Sequence, residues 1–511
     1  MSRHQNRYSI VEYHGKQEKH KCGYCKNPNS YASYGMWAYS LAVRDYQNLI
    51  DRGWRRSGAY CYKPIMDDIC CPMYTIRCDP TEFKMTKSQK KILKRMIKFL
   101  KGELRKDQMD TADENDRGER CLEVQDHCKR VPPELKDLPI ENEMCIDDEL
   151  SNKLNSRSET DSKVPIDITV PTTSKPQNTK LDSPSDNKKK KNQNMLLNSD
   201  ETLPKKAKLL RIERKKKKLL AQGKSEKEID DIFKSKKRQS NPRTLESFFE
   251  EISNSSTMKL KLKVVEVATN KLNEHNSFEA SVQLYQKYQM AIHGDDPLEC
   301  SEKMFYNFLV YNTLKSRRSE NGPPQGYGSF HEQYWLNDEL IAVGVLDILP
   351  YCVSSVYFFY DPAYSHLSLG TFSSLYEIYL TRQLMRTSPD LRYYYMGFYI
   401  HSCPKMRYKA KMKPSKLLCP ETYVWCDIEK CLPKLDKSQY SRLNEDMDAI
   451  DEDANVDIGQ CLILHRRLAR IYKNIKDSLF TRPGFIDEEE LKEYAALIGK
   501  KCLRTMLMYR E

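Results

Sequence analysis

No stretch of this sequence is apolar for long enough to cross a bilayer. The longest apolar run, Leu340 to Leu349, is interrupted by Asp347 and falls well short of the roughly 20 residues a spanning helix needs. The opening residues, Met1-Ser2-Arg3-His4-Gln5-Asn6, contain no apolar signal region, so a chain that is not secreted is expected. A disulfide framework is therefore not expected either: the 17 cysteines are odd in number and suit metal, cluster or free-thiol roles. Residues 104–243 almost lack apolar periodicity, which excludes a packed core there. These absences lead to a soluble protein of the cytosol or nucleus with no membrane partner.

What is present points to more than one unit. A chain of 511 residues is long enough for two or more domains. Its mean hydropathy of −0.75 and 31% charged residues are too polar for one uniform globule, so a solvated segment must dilute a normal core. The net charge of +13 is gathered in a few stretches, which favours a polyanionic partner, with a solvated basic linker as the plainer explanation. The expected fold class is α+β, divided into a small cysteine-rich domain over 1–103, a long disordered charged linker over 104–243, and a second folded domain over 244–511.

The first domain carries Cys22-Gly23-Tyr24-Cys25, a C-x-x-C turn whose glycine lets both sulfurs face one point. Cys70-Cys71-Pro72 adds two thiols, while Cys61 and Cys78 read as bystanders. The spacing lacks the second C-x-x-C of a ribbon-type zinc site. Cys22, Cys25, Cys70 and Cys71 are the candidate ligands, and thiolates accept either zinc or an iron–sulfur cluster. Between them lies a basic aromatic turn, Gly53-Trp54-Arg55-Arg56-Ser57-Gly58; Tyr74 to Arg77 predicts a short strand and Lys87 to Lys101 a helix. In the linker, Lys205 to Leu220 predicts a basic helix, and Cys121, Cys128 and Cys145 carry no structural role.

In the second domain, Leu260 to Val267 predicts a strand and Phe278 to Ala291 a helix. The glycine- and proline-rich run Gly322 to Tyr334 lets backbone approach a ligand closely, making Gln325, Tyr327 and His331 substrate-binding candidates. Leu336 to Leu349 predicts two strands around Asn337-Asp338 or one strand entered from that turn. Cys352 to Tyr360 is a further strand. A helix opens at Ser368-Leu369-Gly370-Thr371, capped by Ser368 or Thr371, and Leu391 to Ile400 is again a strand. That order of strand, strand, glycine-containing turn, helix and strand is the order of a GNAT-type acyltransferase, a fold-level analogy. Thr422 to Trp425 predicts one more strand, Asn444 to Asp453 a solvated acidic loop, and His465 to Asp477 and Glu488 to Leu507 helices, with Arg466, Arg467 and Arg470 facing solvent or RNA.

The strand over Tyr393–Ile400 runs straight into His401-Ser402-Cys403 and the cations Lys405, Arg407, Lys409 and Lys411. A core strand feeding a cationic loop is how a scaffold presents chemistry to an anion.

Taken together these motifs resemble the eukaryotic arginyl-tRNA–protein transferases. The N-terminal half of that family is matched by Cys22-Gly23-Tyr24-Cys25, Gly53 to Gly58, and Cys70 to Arg77. Its C-terminal half is matched by Gly344 to Pro350, Ser354 to Tyr357, Leu369-Gly370-Thr371, Met396 to Cys403, and Lys405 to Lys409. The resemblance implies transfer of arginine from charged tRNA to the N-terminal amine of proteins beginning with Asp, Glu or oxidised Cys, marking them for ubiquitin-dependent degradation. It implies a GNAT-like acyltransferase fold in the C-terminal half. It also implies an iron–sulfur cluster, of the 4Fe-4S type, at the four cysteines, with zinc as the alternative. The partners implied are arginyl-tRNA and proteins with acidic N-termini, and no DNA.

Chemistry assigns tasks within that activity. The acidic first side chain of the acceptor needs a cation, for which Lys405, Arg407 and Lys409 are nearest. The arginyl group needs a carboxylate, with Asp347 first and Glu377 second. A strand aspartate inside an apolar run is costly without a partner, and an internal basic residue is the alternative partner for Asp347. His401 is a candidate proton shuttle or a structural histidine. Cys403 beside it raises a Cys/His acyl-enzyme, for which no third orienting residue is evident. A non-catalytic, metal-stabilised RNA-binding adaptor is the competing reading.

Overall fold

The computed structural model describes residues 8–104, 145–146, 207–223, 225–230, 243–267, 269–273, 277–476 and 486–510. The N-terminal segment runs β1 (Ser9–His20), β2 (Tyr31–Ala42), α1 (Val43–Ile50), β3 (Arg55–Ser57), β4 (Tyr60–Pro64), β5 (Tyr74–Cys78) and α2 (Lys87–Leu100). The short strand β6 (Cys145–Ile146) and helix α3 (Ala207–Ala221) come next. The C-terminal segment begins with α4 (Leu245–Ser253), β7 (Leu260–Glu266), α5 (Ser277–Tyr288), β8 (Leu314–Lys315), β9 (Gly328–Leu336), β10 (Glu339–Ile348) and β11 (Cys352–Tyr360). It continues through α6 (Leu369–Leu384), β12 (Tyr393–Tyr399), β13 (Ser415–Leu418), β14 (Trp425–Asp427), α7 (Ile428–Leu435), β15 (Leu462–His465), β16 (Leu468–Ile471), α8 (Glu488–Leu503) and β17 (Met506–Arg510).

Local chemistry explains the main elements. The β9–β10 hairpin turns on Asn337 (φ 48°) and Asp338 (φ 74°), two residue types that tolerate the left-handed backbone a tight hairpin demands. β10 is buried at every position except Glu339, as expected of a strand covered on both faces. On β11, Phe358 and Phe359 point to opposite faces. Phe358 packs on Tyr334, which in turn meets Phe372 of α6. Phe359 meets Tyr285 of α5. Helix α2 starts at a capping box formed by Thr86 and Gln89. α4 lays Phe249 against Phe372, Tyr376 and Tyr379 of α6.

Two mixed sheets result, in the orders β3-β4-β2-β1-β17-β15-β16-β6, with β8 beside β2, and β14-β13-β5-β12-β11-β10-β9-β7. The expectation of separate domains over 1–103 and 244–511 is corrected by this pairing. β5 lies between β12 and β13, and β1 pairs in parallel with β17. Both segments therefore belong to one compact unit, and residues 157–243 form another. Within that second unit the expected basic helix is α3, and Lys216 pairs with Glu226 at 3.6 Å. Cys145, expected to have no structural role, begins β6, which pairs in parallel with β16; Cys121 and Cys128 lie outside the described residues.

Several local expectations shift. The stretch from His465 forms the turn and second strand of the β15–β16 hairpin, turned by Arg466 (φ 46°) and Arg467 (φ 66°), and only Tyr472–Ile475 of the expected helix is helical. The alternation of Leu462, Leu464, Ala469 and Ile471 into a small apolar cluster explains it. The strand expected over Thr422–Trp425 is β14, which begins at Trp425 and ends at Asp427. The entry to α6 has Ser368 at the cap position with left-handed backbone (φ 56°) and no side-chain capping bond. Thr371 lies inside the helix. Helix α8 ends early, and the chain resumes as β17.

Candidate functional site

The β1–β2 connection closes on itself through Ser30 N–H to His20 O (3.0 Å), Cys22 N–H to Asn27 O (2.9 Å) and Lys26 N–H to Cys22 O (3.0 Å). That turn aims the sulfurs of Cys22 and Cys25 at the loop before β5, where Cys70 N–H bonds Ser30 O at 3.1 Å. The four sulfurs of Cys22, Cys25, Cys70 and Cys71 all lie within 4.8 Å of one another, and those of Cys25 and Cys70 are 3.3 Å apart. Ser30 Oγ is 3.2 Å from the Cys70 sulfur, and Ser402 Oγ donates to that of Cys71 at 3.9 Å. The Cys71 thiol, helped by the backbone N–H groups of Cys25 and Tyr24, holds Cys22 down to about 5. Cys70 is pushed up to about 11, first by burial. Four thiols so close cannot all ionise without a cation among them. The set fits a metal ion, and it joins the first hairpin to the loop before β5. Cys61 and Cys78 are buried in apolar clusters, outside this set.

The strand opposite this loop carries the cationic segment. β11 and β12 are in parallel register only over Cys352–Ser354 with Tyr393–Tyr395. β12 is then irregular at Gly397 (φ 68°) and pairs with β5 on its other side. The two strands part beside Ser355, which is half-buried.

His401 follows directly. Its Nδ1 lies 2.9 Å from Tyr399 OH and its Nε2 2.9 Å from Asp436 Oδ1. Arg407 is exposed and donates from Nε to His401 O at 3.1 Å. Lys409 is buried and donates to Phe398 O at 2.7 Å. Lys405 is half-buried. Cys403 packs at the edge of the cluster that holds Cys22 and Cys71.

The predicted acids are inside. Asp347 is 0% exposed; Arg56 Nη2 pairs with its Oδ1 at 2.5 Å, and Ser329 donates to the same oxygen. That internal basic partner argues against a substrate contact, because Arg56 already neutralises the carboxylate. Glu377 is 1% exposed, accepts from Ser373 at 2.5 Å, and lies beside Ser355 and Tyr394 at the parting of β11 and β12. Burial raises it, as it does Glu332 nearby on β9. Of the loop candidates, Gln325 and Tyr327 are half-buried. His331 is 0% exposed, bonds Leu309 O through Nε2 at 3.0 Å, and is lowered to about 4 by burial. It is a neutral core histidine, and its position argues against a substrate contact.

Sequence reasoning missed the N-terminal cations. Arg52 is 6% exposed and grips Asp451 through Nη1 at 3.0 Å and Nη2 at 2.5 Å. The acidic loop is solvated over Glu445 to Asp448, as expected, and is anchored at Asp451. Arg52 also donates to Ala496 O (2.8 Å) and Leu497 O (3.1 Å). Those carbonyls belong to a turn of α8 broken at Gly499 (φ 75°). The break leaves helical carbonyls without their usual donors, and Arg52 takes them. The motif from Gly53 to Gly58 hinted at this basic cluster, but its acidic partners are nearly 300 or more residues away.

Two family models match this chain, Arginine-tRNA-protein transferase, N terminus, over residues 20–91 and Arginine-tRNA-protein transferase, C terminus, over 280–419. The matched stretches hold the four-thiol set and the parted strands, so fold and site define an aminoacyl-tRNA–protein transferase. The chain is 41% identical to Arginyl-tRNA--protein transferase 1 of Drosophila melanogaster over 98% of this chain and 99% of that protein. It is 34% identical to Arginyl-tRNA--protein transferase 1 of Arabidopsis thaliana over 86% and 76%. An Aspartate/glutamate leucyltransferase of Campylobacter jejuni is 30% identical over 30% of this chain and 57% of its own. The chain belongs to the arginyl-tRNA–protein transferase family.

Proposed function

We propose that this protein transfers arginine from arginyl-tRNA to the N-terminal amine of proteins that begin with Asp, Glu or oxidised Cys, marking them for ubiquitin-dependent degradation in cytosol and nucleus. One observation carries the reading: the stretches matching the two halves of the family meet in a single sheet, where β5 of the first borders β12 of the second. The thiol set and the cationic loop are thereby brought to one place.

The chemistry asks little of side chains. An aminoacyl ester is already activated, and an α-amine of pKa near ~8 is partly neutral at physiological pH. Holding amine and ester together supplies most of the acceleration, and donors aimed at the developing oxyanion add to it. Where β11 and β12 part, unpaired strand backbone can meet the ester, as in a GNAT-like acyltransferase. The chain Tyr399–His401–Asp436 offers a route for the amine's proton. Glu377, beside Ser355, is the acid nearest the parting and the better-placed candidate for the arginyl guanidinium.

The sulfur spacing supports one zinc ion held by Cys22, Cys25, Cys70 and Cys71. Thiolates bonded at about 2.3 Å to one tetrahedral ion sit about 3.8 Å apart, within the observed limit of 4.8 Å. A four-iron cluster puts each thiolate on its own iron and spreads them wider. Such an ion would tie the first hairpin to the loop before β5.

The test is transfer of labelled arginine from charged tRNA to an Asp-starting peptide. Label on the peptide supports the reading. No label, with tRNA still bound, replaces it with a non-catalytic RNA-binding adaptor.

A further inference from the structure

A small cleft, with about 30 Å³ of enclosed space, opens between β4, β5 and the segment after β13. Its walls are apolar at Met66, Met73, Leu418 and Pro420. Its polar groups are few and unusual. Lys63 is 8% exposed and donates to Tyr423 OH, and its Nζ lies 4.4 Å from the centre of that ring. Among the described residues Lys63 has no ion pair. Arg52 lies on the same ring at 4.4 Å, with its fork already committed to Asp451 and α8. Thr75 is 2% exposed, lines the cleft, and its hydroxyl has no hydrogen-bond partner among the described residues.

A buried amine without a carboxylate is costly, and a buried hydroxyl without a partner adds to that cost. Both costs disappear when a small anion enters. The apolar walls can pack a short carbon stem behind the anion, while Arg52 is already neutralised by Asp451 and leaves Lys63 as the cation for it. Met66 and Met73 also pack in the cluster that holds Cys22 and Cys71, so the cleft adjoins the thiol set.

We infer that Lys63 and Thr75 form the pocket for the acidic first side chain of the acceptor protein, with Lys63 pairing its carboxylate and Thr75 donating a hydrogen bond. This rests on the arginyl-transfer reading and names residues other than Lys405, Arg407 and Lys409 for the task. The acid enters stem against the methionines, which leaves its α-amine toward the cleft mouth.

The experiment compares peptides that begin with Asp and with Asn, using the full chain and arginyl-tRNA. Loss of a charge-assisted hydrogen bond corresponds to about tenfold to a hundredfold in affinity. Lys63→Met keeps the apolar stem and removes the charge. It is expected to raise KM for the Asp peptide by that factor, to bring the Asp/Asn selectivity toward unity, and to leave KM for arginyl-tRNA unchanged. Thr75→Val, which changes one hydroxyl to a methyl, is expected to raise the same KM about three- to tenfold and serves if the first variant does not fold. Selectivity retained in a folded, active variant overturns the pocket. So does a loss that falls on arginyl-tRNA. Failure of the unmodified protein to label either peptide sinks the transfer reading instead, and is seen before any variant is made.

Discussion

Arg56 on β3 and Asp347 on β10 form an ion pair of 2.5 Å that joins the two sheets, with side chains 6% and 0% exposed. Removing one partner of such a pair strands a charge in the interior and costs about 3–5 kcal/mol. Asp347→Asn should therefore lower stability by about that much in urea unfolding. The double change Arg56→Met with Asp347→Leu should recover most of it. A single variant of normal stability that binds arginyl-tRNA poorly would show that the carboxylate serves the substrate.

Asp45 gives a pH-dependent prediction. It is 2% exposed and accepts from Ser9 and Thr505, each at 2.6 Å. Burial outweighs those hydroxyls and raises its pKa to about 6 from 3.8. As pH rises from about 4 to 6 the unfolded chain loses this proton first, so the group subtracts stability across that window and about 3 kcal/mol above it. Asp45→Asn should raise the melting temperature at pH 7.5 and leave it nearly unchanged at pH 4.

Metal content separates the cofactor alternatives. Protein purified without oxygen is expected to carry one zinc per chain and no visible absorbance. A broad visible band with iron and sulfide would reverse that assignment. Cys70→Ser should lower metal content and expose residues 21–30 and 65–73 to protease, since the thiols tie those loops together.

Gly499 is predicted to resist substitution. Its φ of 75° is strained for any residue with a Cβ, and that atom would lie 3.0 Å from the Arg52 guanidinium carbon. Gly499→Ala should cost about 1–3 kcal/mol in thermal unfolding.

Cys403→Ser should retain single-turnover transfer. Cys403 sits among apolar residues beside the thiol set, and His401 is bonded to Tyr399 and Asp436 instead. Abolished transfer in a folded Cys403→Ser variant would revive a thiolate nucleophile.

What the sequence made legible was local. Asn337-Asp338 announces its hairpin, the alternation of β7 its strand, and the C-x-x-C turn with Cys70-Cys71 its ligand set. The missing parts depend on partners far along the chain. Nothing near Asp347 names Arg56, and nothing near Lys63 names Tyr423. The β15–β16 hairpin was hidden because Arg466 and Arg467 are poor turn formers, held in left-handed backbone by the strands on either side. The 1–103 boundary looked like a domain edge because composition changes there, and composition carries no record of strand pairing.

The position of β5 between β12 and β13 sets an order of events during synthesis. β5 leaves the ribosome with neither neighbour yet made, so its backbone N–H and C=O groups on both edges wait for the far half of the chain. β1 waits longer still for β17. Nascent chains halted before residue 415 should therefore remain open to protease across 8–104 and become resistant only after the last strands emerge. The cell holds an unfinished sheet for most of the time that translation takes, and its quality depends on whatever shields those edges meanwhile.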